Sequence, residues 1–265
     1  GRDNSRVDYT DIIAKEAEIN AGVWSKKKLT AITGKNTVKA RSTSNKENDL
    51  QIINTVTTKT LEEHDIPKYA LDVSALGGMY AGKVHLIGTE QGLGVRNTGH
   101  IGASSDNVKI DSQGRIVNKG IINGNDHLEL NAKQGIENQG RIETKYGNIV
   151  LNSRADIKQD GSIVTRQGNI RQRAEQGIRQ TGETVAGGNI NFNADDVTAA
   201  ESSLIAAGIN IQNTKQGETR QLSPQADNGK DIHIVTRQQA VLNGKNIASG
   251  TLQIKGSKAN LAKSQ

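Results

Sequence analysis

A short pattern, hydrophobic-x-Asn-x-Gly-x-hydrophobic, returns along this chain with almost no drift, and no other feature limits the possible folds so sharply. It occupies Val95 to Ile101 around Asn97 and Gly99, Ile116 to Ile122 around Asn118 and Gly120, and Ile136 to Ile142 around Asn138 and Gly140. Ile157 to Ile163 continues it with Gln159 and Gly161, and Ile178 to Gly182 is a fifth copy. The glycines stand at 99, 120, 140, 161 and 182, at intervals of 21, 20, 21 and 21 residues. A fixed period of this size marks stacked units, each touching only its neighbours.

A second ladder runs in phase with the first. Its members are Val108-Lys109-Ile110, Leu128-Glu129-Leu130, Ile149-Val150-Leu151, Ile190-Asn191-Phe192, Ile209-Asn210-Ile211, Ile232-His233-Ile234 and Leu252-Gln253-Ile254. Alternation with period two marks short strands with one face buried. Each repeat therefore holds about three such strands between Gly, Asn and Asp turns, and no stretch is long enough for an amphipathic helix. The dense leucine framework of a leucine-rich repeat is absent. The expected fold is an all-β parallel β-helix, or β-solenoid, of ~20–21 residues per coil. About 12 coils at ~4.8 Å each predict a shaft of roughly 55 to 60 Å.

In that fold equivalent residues form columns. Val95, Ile116, Ile136, Ile157, Ile178 and Val197 line one wall, and Val108 through Leu252 another. The amides of Asn97, Asn118 and Asn138 bond the same group one coil above and below. The Gly99, Gly120, Gly140, Gly161 and Gly182 column implies a corner that needs positive φ or has no room for Cβ. Two positions break the pattern: Gln172 stands where a strand's second hydrophobic belongs, and Ser203 where the next glycine would fall.

Composition fits a narrow interior. Hydrophobic residues make up 33% and aromatic ones 2%, too few for a thick core, while charged residues at 23% are near average and argue against disorder. The absence of cysteine removes thiol nucleophiles, disulfides and cysteine-bound zinc, and keeps the chain threadable through a narrow pore. No apolar window approaches a membrane span, and the start at Gly1-Arg2-Asp3-Asn4 reads as a cut inside a longer protein, not a signal peptide. Ile12, Ile13, Ile19 and Leu29 to Ile32 can be placed on coils, and Val84 to Ile87 resumes the ladder. The excess between them is assigned to a polar excursion over 39–68, with Leu50-Gln51-Ile52 and Val56-Thr57-Thr58 as an extra-helical hairpin ended by Pro67. Pro224 marks a smaller loop, matching the 23-residue interval from Ile209 to Ile232.

Signs of chemistry are sparse. His64, His85, His100, His127 and His233 show no metal-ligand spacing, and neither a nucleophile elbow nor a phosphate loop is present. Asp156, Asp160, Asp195 and Asp196 form the nearest thing to an acidic cluster. Asp156 and Asp195 would stand about 10 Å apart along the axis, near the widest catalytic carboxylate spacing. Coils this short leave no loops to wall a cleft, so these read as solvated turn carboxylates. No catalytic, cofactor or metal site is expected, and the chain reads as no enzyme.

Charge gives a second handle. The net charge is +6, and Arg166, Arg171, Arg173 and Arg179 fall in one stretch opposed only by Glu175. Such a strip can attract anionic ligands, and the plain alternative is a solvated cationic face. Without interleaved aromatics, base stacking is unsupported, and nucleic acid is not an expected partner.

The run Tyr69-Ala70-Leu71-Asp72-Val73-Ser74-Ala75-Leu76-Gly77-Gly78-Met79-Tyr80-Ala81-Gly82-Lys83-Val84, with Gly88-Thr89-Glu90 and Gly99 to Ala103, resembles the filamentous haemagglutinins. These are the exoproteins of bacterial two-partner secretion, among them adhesins, haemolysins and contact-dependent growth inhibition effectors. Ala17 to Ala21 and Leu29 to Asn36 resemble the later part of the family's secretion domain, and residues after Gly99 its haemagglutinin repeats. The resemblance implies a right-handed β-helix exported by an outer-membrane β-barrel transporter to the cell surface. It also implies the C-terminal part of a secretion domain over 1–98 and a shaft over 99–265. The family's transporter-recognition Asn-Pro pair is absent, which places Gly1 after that region, without the complete secretion signal. Two readings follow: a monomeric rod, continuous with further repeats, that projects a distal binding or toxin region, or an adhesive module that itself binds anionic glycans or a receptor on a host or neighbouring cell. A carbohydrate-active β-helix enzyme is the disfavoured third.

Overall fold

The computed structural model describes residues 7–39, 50–56, 69–222 and 229–261. They form a parallel β-helix with no α-helix among the described residues. Each coil lays down three strands, for example Val108–Ser112, Ile116–Asn118 and Ile121–Gly124, before Leu128–Ala132 starts the next. First- and second-wall strands merge into one 18-stranded sheet, and the third wall is a separate sheet of nine strands. A tenth coil begins with Leu252–Lys255 and Lys258–Asn260.

The columns pair in the expected register. Val95 lies against Ile116, Ile116 against Ile136, and so on through Ile157 and Ile178 to Val197. The third wall adds Ile101, Ile122, Ile142 and Ile163, all buried. β-branched side chains suit these columns because their one favoured rotamer also fits the rung above. Each such side chain, fully buried, contributes about 1.5–3 kcal/mol. Phe192 is the one large ring in this core, among aliphatic neighbours.

The glycine column has a steric cause. None of Gly99, Gly120, Gly140, Gly161 and Gly182 has positive φ. A Cβ on Gly120 would overlap the carbonyl oxygen of Gly99, one on Gly140 that of Gly120, and the series continues through Gly161 to Gly182. At this corner backbone passes directly over backbone. Ser203 follows Gly182 in the column and is tolerated with its hydroxyl turned to donate to the Ala200 carbonyl at 2.7 Å.

Both departures from the coil are antiparallel hairpins outside the stack. The first pairs Lys35–Lys39 with Gln51–Val56. Its opening arm thus starts before the expected excursion, and Leu50 to Ile52 and Val56 belong to one region of chain instead of facing each other. The remainder of 39–68, including Pro67, lies outside the described residues, as does Pro224.

The second hairpin corrects the sequence reading more deeply. Ile209-Asn210-Ile211 is not a rung of the ladder but the start of Ile209–Thr214, which pairs with Gly217–Leu222. The rung above Ile190 is Ile232, 42 residues later. One coil plus a hairpin of nearly coil length keeps the period intact, so the repeat count overshoots. The first excursion likewise sits inside a single coil, with Leu29 directly beneath Val84. Ten coils at ~4.8 Å give about 45–50 Å, in place of the 12 coils expected.

Because the Gly120 and Gly140 Cα atoms abut backbone that cannot move aside, Gly120→Val or Gly140→Val should each cost about 3 kcal/mol or more. Exposed Lys119→Ala should be nearly silent. Thermal melts compare the three, and equal melting points would refute the close-approach argument.

Candidate functional site

The interior carries a polar spine. Asn97, Asn118 and Asn138 are buried within the second wall, with Gln159 and Gln180 above them. Asn97 Nδ2 donates to Asn118 Oδ1 at 3.0 Å, Asn118 to Asn138 at 2.9 Å, and Asn138 to Gln159 Oε1 at 2.8 Å. Each amide also reaches a carbonyl one rung up, Ile121, Arg141 and Ser162 in turn. The expected amide ladder is therefore present, and it extends to glutamine because a longer side chain reaches the same acceptor. Gln172 points inward, fully buried, between Leu151 and Phe192. Its Nε2 donates to Thr184 Oγ1 at 3.1 Å, and Thr184 donates to Gln180 Oε1 at 2.7 Å, while Gln172 Oε1 has no partner.

The four arginines do not form one strip. Arg171 and Arg173 project from the outer face of Ile170–Ala174, Arg179 from the second-wall strand Gly177–Gln180, and Arg166 just after the third-wall strand Ser162–Thr165. A run of 14 residues turns two corners of the coil, so its charges look out on three walls. None of the four forms an ion pair among the described residues. Arg173 borders an axial groove with Lys133, Arg154, Asn131 and Asn152.

The four aspartates are engaged separately. Asp156 pairs with Arg115 at 3.4 Å and Asp195 with Arg237 at 2.5 Å. Asp160 accepts from Thr181 Oγ1, and Asp196 from the Gln239 backbone N–H. Among the described residues no group of three His, Cys, Asp or Glu side chains is placed to hold a metal ion. His85 meets Asp111 at 3.2 Å. Burial works against the Asp111 carboxylate, but hydrogen bonds from His85 and Asn131 and the charge of Lys109 outweigh it and lower its pKa.

Two surface clusters gave no signal in the sequence. On the third wall the Trp24 and Tyr80 rings stack at 5.3 Å, and His100 meets Tyr80 edge-on. Higher on the same wall the second hairpin lies against an outward apolar column of Val164, Val185 and Ala206, contributing Ile209 and Ile211. Arg220 of the hairpin grips Glu183 with two hydrogen bonds of 2.6 and 2.8 Å. Glu218 accepts from Arg220 and from Arg141, both at 2.9 Å. The bonds from Arg220, with help from Ser162, outweigh partial burial and hold the Glu183 carboxyl below the usual range, and the Arg220 pKa is raised in return. Glu183 and Arg220 are 37 residues apart, a spacing that matches no period of the coil.

Comparison with known proteins points to one family. A TPS secretion domain model matches residues 1–118. Over 140 residues the chain is 41% identical to Toxin CdiA of Yersinia pestis, which covers 53% of this chain and 4% of that protein. It is 35% identical over 123 residues to tRNA nuclease CdiA-2 of Burkholderia pseudomallei, covering 46% of this chain and 4% of the relative. A longer match spans 256 residues at 25% identity with 16S rRNA endonuclease CdiA of Enterobacter cloacae, 97% of this chain and 7% of that protein. The chain thus spans a few per cent of the length of the curated relatives it matches. No solved structure matches.

The partnerless Gln172 Oε1 sets up a test of the interior. Gln172→Leu places an aliphatic group between Leu151 and Phe192 and removes a buried orphan acceptor, so stability should rise by about 1 kcal/mol. Asn118→Leu, which breaks the spine on both sides, should lower it by about 1–3 kcal/mol. Denaturant midpoints read both signs.

Proposed function

Because the chain belongs to the filamentous haemagglutinin-type exoproteins of two-partner secretion, we propose that it is a structural shaft segment of a secreted bacterial surface protein, projecting a distal binding or toxin region. The observation that carries this reading is axial continuity. Every rung from Lys28–Thr33 to Ile232–Leu242 is hydrogen-bonded to the next, and both hairpins leave the coil without interrupting it. Load applied along the axis is shared by three walls of parallel pairing.

The secretion-domain match implies an outer-membrane β-barrel transporter as partner. We place the transition from secretion domain to shaft near residue 98, supported by a change in the interior: the column that begins with Ile19 and Val73 turns to amide at Asn97. The nuclease activities in the relatives' names belong to those proteins, and this segment is assigned no catalysis. A second reading, adhesion to anionic glycans, draws on the exposed and unpaired Arg171, Arg173 and Arg179.

Small-angle scattering should report an elongated monomer about 45–50 Å along the coil axis, and a compact sphere would refute the shaft. Retention on heparin that falls steeply with salt, and weakens when Arg166, Arg171, Arg173 and Arg179 become glutamine, would favour adhesion. Retention unchanged by the substitutions leaves the segment as a spacer.

A further inference from the structure

The coil does not need the second hairpin. The hairpin's arms pair only with each other. Beneath it Glu183–Ala186 pairs directly with Leu204–Ala207, and Ile190–Ala199 with Ile232–Leu242. Two apolar side chains, Ile209 and Ile211, and the charged group around Arg220 hold it to the wall, while Gln212 to Thr219 are exposed. Gly208, at φ +75°, stands where the chain leaves the third wall, a conformation that glycine adopts freely.

What it covers is unusual for this molecule. Val164, Val185, Ala206 and Ile247 follow one another up a single outward-facing column, where lower rungs carry Asn123 and Glu143. An outward valine column in water is an exposed apolar strip, and such strips are normally covered. We propose that the second hairpin is a flap, latched to the third wall by the Glu183–Arg220 ion pair and able to lift as a unit, uncovering this strip while the coils stay folded. Small units that share few contacts with the rest of a fold open locally, below the global unfolding free energy.

The latch has a defined response to acid. The charged and polar groups around it are Arg220 and Glu218 from the hairpin, Glu183, Ser162, Arg141 and Glu143 from the wall, and Lys145 and Arg166 at its lower edge. Glu183 has a lowered pKa in the closed form, so its contribution is complete above the ordinary glutamate value and is lost as pH falls through the lowered one. Arg220 stays charged throughout. The flap is therefore latched at neutral pH and released in acid.

Hydrogen–deuterium exchange on the whole chain at neutral pH tests this. R220Q should speed exchange of the 209–222 amides about fivefold or more, as expected for losing a charge-assisted pair, and leave 190–199 and 232–242 as in wild type. The double variant E183R/R220E, which rebuilds the pair with its charges exchanged, should return protection toward wild type. E183Q should bind a hydrophobic dye at neutral pH to the degree that wild type reaches only in acid. Hairpin amides indifferent to R220Q would overturn the latch. Coil amides that lose protection in step with the hairpin would overturn the independent flap.

Discussion

The separation of one coil from the next, about 4.8 Å, governs this molecule. It is set by backbone hydrogen bonds between parallel strands, and it forces every side chain to stack on its own counterpart. Aliphatic residues on aliphatic residues fill the interior, amides on amides complete each other's hydrogen bonds, and at the tightest corner nothing larger than hydrogen fits between Gly120 and the Gly99 carbonyl. Period, composition and low aromatic content all follow from this spacing, because a coil interior only a few side chains wide has no place for rings. Phe192 is accommodated where its neighbour below is the unbranched Gln172.

The same constraint explains where variety is allowed. Inside, a polar residue survives only with a partner on an adjacent rung, as in the Asn97 to Gln159 spine, and Gln172 shows the residual cost of half-satisfaction. Outside, side chains answer to no counterpart. Cations pair with carboxylates across rungs, rings stack, and whole hairpins leave the coil provided that its ends return in register. A surface exoprotein can therefore change its exterior without disturbing its mechanical axis, and the hairpin latched by Arg220 is one such addition.

Much of the fold was legible in the sequence because a solenoid writes its tertiary contacts as a period. Each copy of the Asn-x-Gly signature repeats the same local environment, so the inward columns, the amide ladder and the glycine corner could be assigned residue by residue. The glycine corner left two causes open, positive φ or close approach, and the structure chose the second. The irregular residue Gln172 could be seen but not aimed, since alternation marks a position and not a side chain's partner.

The sequence by itself determined the repeat, the strand character of its parts and the residues that face inward, since these depend on neighbours one period away. Tertiary structure decided what depends on pairing between unlike segments. Ile209-Asn210-Ile211 alternates as well as any rung, and its hairpin has nearly the length of a coil, so only its antiparallel partner Gly217–Leu222 identifies it. Four arginines contiguous in the chain face three walls, because the coil turns two corners between Arg166 and Arg179. Glu183 and Arg220 meet at a separation that matches no period, since their contact belongs to a hairpin folded back on the wall and not to the stacking of one coil on the next.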